Sequence, residues 1–338
     1  MPKENLHLDL ERAGCFYGDS SCPLTQGKCA VEFCGFDNEY QTCVNKFCFK
    51  LCEKCDALVL DPRPKIQDLE IIYPPNYHSY ILTKEKKKLF DITFFRKKAA
   101  LARFRVGFNC KKQAGRFKIL DIGCGNGWML DVLKDSFGDE IQTFGTEINE
   151  NVVKDGLTKG HCVKYGLDPF ALFDDEQFEV INITHVIEHL EKPFQLIENC
   201  FKLLKPGGIL IIETPNYQSL DRKSTGILNK GSWGGFHYPR HWYIFCEETV
   251  SKLAAKIRGL EVVKITYFPT PTTWVWSMNN LIRSIFKQKT TIFDPVKIFQ
   301  NSGVSFLAMA GFYIFDKAAC LCRLKTSTFQ FVLRKKLN

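Results

Sequence analysis

No run of 18 apolar residues occurs anywhere in the 338-residue chain, so no segment is long enough to cross a bilayer as a helix. The nearest approach, Val304 to Phe315, stops short and is followed by Asp316 and Lys317. The opening residues, MPKENLHLDLERAG, have no apolar core of the kind a secretory signal needs. Internal repeats and low-complexity tracts are also absent, which sets aside a repeat array. These absences lead to the expectation of a cytoplasmic protein. Hydrophobic residues at 45% and charged residues at 25% suit a folded globular chain.

Cysteine is abundant. Of 15 cysteines, eight fall at positions 15, 22, 29, 34, 43, 48, 52 and 55. Without export, that density suggests metal binding before disulfides. Cys52 and Cys55 have the two-residue gap of a zinc knuckle. The formal net charge is +9, and between Lys84 and Lys118 thirteen Lys or Arg face only Glu85 and Asp91. Such a stretch reads either as a solvated helix face or as a surface for something anionic: a membrane, a phosphorylated substrate or nucleic acid.

Three regions separate. Residues 1–62 are rich in cysteine and poor in periodic pattern, and residues 63–117 hold a Pro/Tyr segment and then the basic helical stretch. From 118 to 338, the runs KILDI, IQTFGTE, FEVINI and GILIIET alternate with amphipathic helical segments. That alternation predicts an α/β fold: a mostly parallel sheet covered on both faces. An apolar, aromatic stretch at about 270–324 reads as an insertion before the last strand, STFQFVLRK.

The stretch KILDIGCGNGWML places Gly123, Gly125 and Gly127 between the first strand and a helix expected to begin near Asn126. Glycine permits a tight turn and close approach of a ligand to the backbone. The third glycine comes one position early for the dinucleotide pattern, and no Gly-Lys-Ser/Thr follows to make a phosphate loop. Glu147 ends the second strand, where the two oxygens of a carboxylate can hold both hydroxyls of a ribose.

Asp121-Ile-Gly-Cys-Gly-Asn-Gly127, Glu147, His185-Val-Ile-Glu-His-Leu190 and Leu204-Lys-Pro-Gly-Gly208 together resemble the class I S-adenosylmethionine-dependent methyltransferases. The resemblance covers residues 118–268 and is nearest to the subset acting on small molecules, glycans or quinone precursors. It implies a Rossmann-like seven-stranded sheet whose last strand is antiparallel. It also implies a cofactor site of Asp121, Gly123, Cys124, Gly125, Gly127, Glu147, Ile148, Asp168, Thr184 and His185. The reaction it implies is methyl transfer, most simply to oxygen, on a small-molecule or lipid-linked acceptor.

A hydroxyl acceptor needs a base, and histidine suits neutral pH. His185 and His189 form one cluster; His237 and His241, in GSWGGFHYPRHWYIF, form another. The resemblance makes His241 the first choice of base and His185 the second, with Arg240 holding the acceptor. The related quinone-biosynthesis enzymes have an acid in the His185 slot, so a divalent ion at Glu188 and His189 is not expected here. Related methyltransferases carry an N-terminal zinc ribbon. Matching that pattern gives Cys29, Cys34, Cys52 and Cys55 as zinc ligands, with Cys22, Cys43 and Cys48 as spare candidates, although Val31 stands where a first cysteine belongs. Cys48, Cys52 and Cys55 also fit a radical-enzyme cluster triad, but Lys54 replaces its usual aromatic residue. An RNA methyltransferase and a non-catalytic zinc scaffold are the alternatives. Nucleic acid is not the expected partner, because no RNA-binding fold is recognisable, while peripheral contact with an anionic membrane remains open.

Overall fold

A computed structural model describes residues 16–17, 22–65, 69–74, 77, 97–98, 101–102, 104, 116–286 and 303–337. Cys15 and most of the basic stretch from Lys84 to Lys118 lie outside the described residues.

In the cysteine-rich segment the short strand β1 (Phe16–Tyr17) is followed by β2 (Cys29–Phe36), β3 (Lys46–Cys52), β4 (Leu58–Asp61), β5 (Arg63–Pro64) and the helix α1 (Leu69–Ile72). β2, β3 and β4 form an antiparallel sheet that no sequence periodicity announced. The larger sheet starts with β6 (Phe117–Ile122), α2 (Trp128–Phe137), β7 (Ile141–Glu147), α3 (Glu150–Thr158) and β8 (Cys162–Tyr165). Next come α4 (Pro169–Phe173), β9 (Phe178–Thr184), α5 (Pro193–Leu203) and β10 (Leu204–Pro215). The chain continues through α6 (Leu220–Leu228), β11 (Tyr243–Ile244), α7 (Glu247–Ala255) and β12 (Leu260–Phe268). The paired helices α8 (Pro271–Phe286) and α9 (Gly303–Leu321) fill the expected insertion, and β13 (Thr328–Lys335) ends the sheet.

The seven strands lie in the order β12-β13-β10-β9-β6-β7-β8. β13 runs antiparallel to both neighbours, and the pairs from β10 to β8 are parallel. Alternate residues of each strand enter opposite cores, as a doubly covered sheet requires. Leu120 and Ile122 lie on one side and Ile119 on the other; Leu210 and Ile212 oppose Ile209 and Ile211 in the same way. The helix after the glycine turn begins at Trp128 rather than near Asn126, because Gly127 is left-handed and serves as its N-cap.

The cysteine-rich segment is not set apart from the larger sheet. β11, from the loop after α6, pairs antiparallel with β4 and becomes the fourth strand of the smaller sheet. Phe47, Phe49, Leu58 and Leu60 share one buried core with Phe236, Trp242 and Tyr243. Phe49 packs against Phe236 and Tyr238, with centroids 5.3 and 5.4 Å away.

Candidate active site

The turn after β6 has Gly123 at φ +66°, Gly125 at +53° and Gly127 at +71°. Any other L-residue would pay about 1–2 kcal/mol for each such angle. A Cβ on Gly123 would also strike Val186 Cγ2 at 2.5 Å, whereas one on Gly125 would meet nothing within 4 Å. The loop therefore packs tightly at one end and faces open space at its middle. Glu147 holds this shape: Oε2 accepts from Gly125 N at 2.9 Å, and Oε1 accepts from Ile148 N at 2.8 Å and Asn149 N at 3.1 Å. Its two oxygens still have lone pairs to offer.

The remaining residues expected around the cofactor differ in what they present. Asp121 is buried, and Asn182 Nδ2 donates to its Oδ1 at 2.7 Å. Burial, with the charge of Glu147 adding to it, pushes its carboxyl up to about 7. Cys124 turns its sulfur toward β7, where a Cβ on Gly145 would touch it at 2.8 Å, so only its backbone faces the loop. Ile148 is exposed beside Glu147, and Thr184 ends β9 half-buried. Asp168 is the N-cap of α4: its Oδ1 accepts from Phe170 N at 3.1 Å and Asn199 Nδ2 at 2.9 Å.

The two histidine clusters meet. The rings of His189 and His241 lie 4.7 Å apart and those of His237 and His241 5.0 Å apart. His185, held at φ +53°, donates to Glu188 Oε1 at 3.2 Å and lies 3.6 Å from Glu213 Oε1. Burial works against its charge, but the two carboxylates outweigh it and raise the imidazole to about 10. The two carboxylates favour the protonated form of His185, which weighs against its expected role as second choice of base. The other three imidazoles are pushed the opposite way, chiefly by burial. His241 Nδ1–H donates to Gly235 O at 2.8 Å, which leaves the Nε2 lone pair turned to Glu188, 4.0 Å from Oε1. The same tautomer holds for His189, whose Nδ1–H donates to Arg240 O at 3.0 Å.

Arg240 is not available to an acceptor, contrary to expectation. It is fully buried, and its two Nη atoms donate to Asp37 Oδ1 and Oδ2 at 3.1 and 3.0 Å. The Tyr40 ring lies against it at 4.5 Å. Glu39, from the same loop, shares a hydrogen bond with His237 Nδ1, and Tyr77 Oη lies 3.4 Å from His237 Nε2. Tyr40, Tyr73, Tyr77 and Trp276 line up as neighbouring rings 5.0–6.1 Å apart. The sequence reading missed Asp37, Glu39 and Tyr40. Their one signal was an acidic FDNEY run in a cysteine-rich loop, some two hundred residues from its partners.

Among the described residues, cysteine sulfurs of the N-terminal segment meet in two places. Cys34 and Cys48 are joined as a disulfide across β2 and β3, so Cys34 cannot be the thiolate ligand expected of it. Instead the sulfurs of Cys22, Cys52 and Cys55 lie within 4.8 Å of one another, all buried. Cys29 sits opposite Cys52 in the β2–β3 ladder. A second convergence of donors, Glu188, His189 and His241, also falls within 4.8 Å. There Thr214 Oγ1 and His185 already occupy the carboxylate.

A family model for methyltransferase domains matches residues 80–265, more than half of the chain. With the sheet and glycine turn described above, the chain belongs to the class I S-adenosylmethionine-dependent methyltransferase family. It is 30% identical over 112 residues to the ubiquinone biosynthesis O-methyltransferase of Methylococcus capsulatus, covering 30% of this chain and 45% of that protein. Against the enzyme of the same name from Caulobacter sp. strain K31 it is 27% identical over 168 residues, covering 46% and 57%. The chain thus spans about half the length of these curated relatives. Among solved structures, a SAM-dependent methyltransferase from Archaeoglobus fulgidus aligns over 72% of this chain and 97% of its own, with 22% identity and a TM-score of 0.43.

Proposed function

We propose that the protein methylates an oxygen of a small aromatic acceptor, a quinone precursor in preference to a sugar. The observation that carries this is His241 Nε2, which lies 4.0 Å from Glu188 Oε1, with the His189 ring 4.7 Å away. The residues of the turn fit S-adenosylmethionine. Gly125 leaves open space, Glu147 has lone pairs for ribose hydroxyls, and Asp121 offers a buried acid toward a cationic amino group. When bound, that cofactor supplies a methyl group already activated on a sulfonium.

The chain's own part is positioning and proton handling. The residues of the site would hold the acceptor oxygen toward the methyl group that the bound cofactor would supply. His241 Nε2 takes the acceptor's proton, and the nearby Glu188 carboxylate stabilises the imidazolium that results. The tilted tyrosine and tryptophan rings offer aromatic edges and faces to an aromatic acceptor. The relatives' names favour the quinone-type ring over a sugar.

The donor set also supports a structural zinc ion, held by Cys22, Cys52 and Cys55 with Cys29 as the fourth ligand. Hydrogen bonding to Cys55 pulls the Cys22 thiol down, which favours the thiolate a metal requires. The test of the main reading is calorimetric titration with S-adenosylhomocysteine. Glu147→Ala should weaken binding by about 1.5–3 kcal/mol as a charged hydrogen-bonded contact is lost; unchanged affinity would remove Glu147 from the cofactor site.

A further inference from the structure

Among the described residues, the contacts of helix α9 gather on one side. Phe312 stacks on Trp274 with centroids 5.2 Å apart, Asp316 accepts from Trp274 Nε1 at 2.8 Å and from Thr270 N at 2.8 Å, and Ala319 is buried. The opposite side carries Leu307, Ile314 and Leu321, which are 70%, 68% and 80% exposed. Their spacing of seven residues, close to two helical turns, aligns them in one stripe. Gly311 falls in the same stripe and lines an apolar groove of about 420 Å³ with Met278, Ala308, Phe312 and Phe315. Ile285 and Phe286 at the end of α8, and Ile227 and Leu228 at the end of α6, are also exposed. These two ends meet through a hydrogen bond from Asn229 to Ser284. Exposed apolar side chains lined up along one helix face mark an interaction surface.

Charge identifies the occupant. Within residues 220–230, 271–286 and 303–325 the only acids are Asp221 and Asp316. Both are buried and taken by indoles, Asp221 by Trp233 Nε1 and Asp316 by Trp274 Nε1. What reaches the surface there is cationic: Lys223, Lys230, Lys317 and Arg323. An apolar stripe bordered by cations, with no exposed acid in these three segments, matches the interface of an anionic bilayer, where headgroups meet the cations and acyl chains meet the leucines. No described helix is long and apolar enough to cross a membrane, and the Asp316–Trp274 bond ties α9 to α8 on its other side. We infer that this face, α9 with the ends of α6 and α8, docks the protein flat on an anionic lipid surface. The inference does not depend on the identity of the methyl acceptor.

The experiment is co-flotation of the full chain with phosphatidylcholine vesicles, with and without phosphatidylglycerol. Binding should appear with the anionic vesicles and weaken with salt. Leu307→Glu and Ile314→Glu should each lower vesicle partitioning by about tenfold to a hundredfold, the range expected for removing one buried aliphatic side chain. Both should keep the wild-type melting temperature, since neither side chain is packed. Lys317→Glu with Arg323→Glu should remove the preference for anionic over neutral vesicles. Failure to float at low salt, or flotation undiminished in Ile314→Glu, would overturn the inference. So would a dimer in sedimentation that Ile314→Glu dissociates without any vesicle binding, which would assign the face to a second copy of the chain.

Discussion

Asp37→Ala strips a buried guanidinium of its only carboxylate partner within salt-bridge distance among the described residues. Arg240 lies at 0% exposure, and both of its oxygen contacts to Asp37 are at hydrogen-bond length. Breaking a buried ion pair from one side costs about 3–5 kcal/mol, because the remaining charge stays out of water. The variant also gives up the bonds that Asp37 accepts from Tyr40 N, Thr42 N and Thr42 Oγ1, which shape the loop. Arg240→Met should cost a similar amount, and the double variant less than the sum, leaving a coupling of about 1.5 kcal/mol or more. Urea unfolding followed by tryptophan fluorescence measures all four corners of this cycle. The pair has a pH signature too. Burial pushes the Asp37 carboxyl up, but Arg240 outweighs it and holds it below its ordinary 3.8. Its contribution is thus fully present above about pH 4 and is lost as the pH falls further. A loss below about 1 kcal/mol in Asp37→Ala, or costs that simply add within about 0.5 kcal/mol, would refute the clamp. If Arg240 instead anchored an acceptor, its variants would raise KM and leave stability alone.

The other expectations concern chemistry and ligands. His241→Ala should lower turnover by about two to four orders of magnitude with cofactor affinity intact, read by initial rates and calorimetry; near-wild-type turnover would return the HYPRH segment to packing alone. Metal analysis of protein purified without chelator should find about one zinc per chain, kept in Cys34→Ser and lost in Cys52→Ser with Cys55→Ser; loss in Cys34→Ser would restore it to the ligand set. Because the Asp121 carboxyl titrates near 7 and a cationic amino group binds only its ionised form, cofactor affinity should fall as the pH drops from 8 to 6. Asp121→Asn should flatten that dependence in the same titration.

The parallel sheet was legible because its signals are local. KILDI, IQTFGTE, FEVINI and GILIIET each declare a strand buried on both faces, and the glycines, Glu147 and KPGG fall at fixed points between them. His237 and His241 were legible as candidates for the same reason, being crowded into one aromatic loop. Their surroundings were not. Asp37 and Glu39 sit in a segment without periodicity, and what gives them meaning is contact with residues some two hundred positions away. Cys34 failed as a metal ligand on a related point. Counting gaps favoured Cys34, but strand register put it opposite Cys48 and left Cys22 to approach Cys55 through a turn. Spacing along a chain does not report which side of a strand a sulfur faces.

The pairing of β11 with β4 has a consequence for how the chain is made. The edge strand at Leu58–Asp61 leaves the ribosome long before Tyr243–Ile244, the strand that completes its sheet. At about 5–20 residues per second, synthesis of the intervening chain takes roughly ten to forty seconds. Throughout that interval the nascent segment carries an unpaired strand edge and the buried faces of Phe47, Phe49 and Leu58 without their partners. The cysteine-rich segment therefore waits for the histidine loop to complete its sheet, and a chain cut before that loop would leave the sheet open.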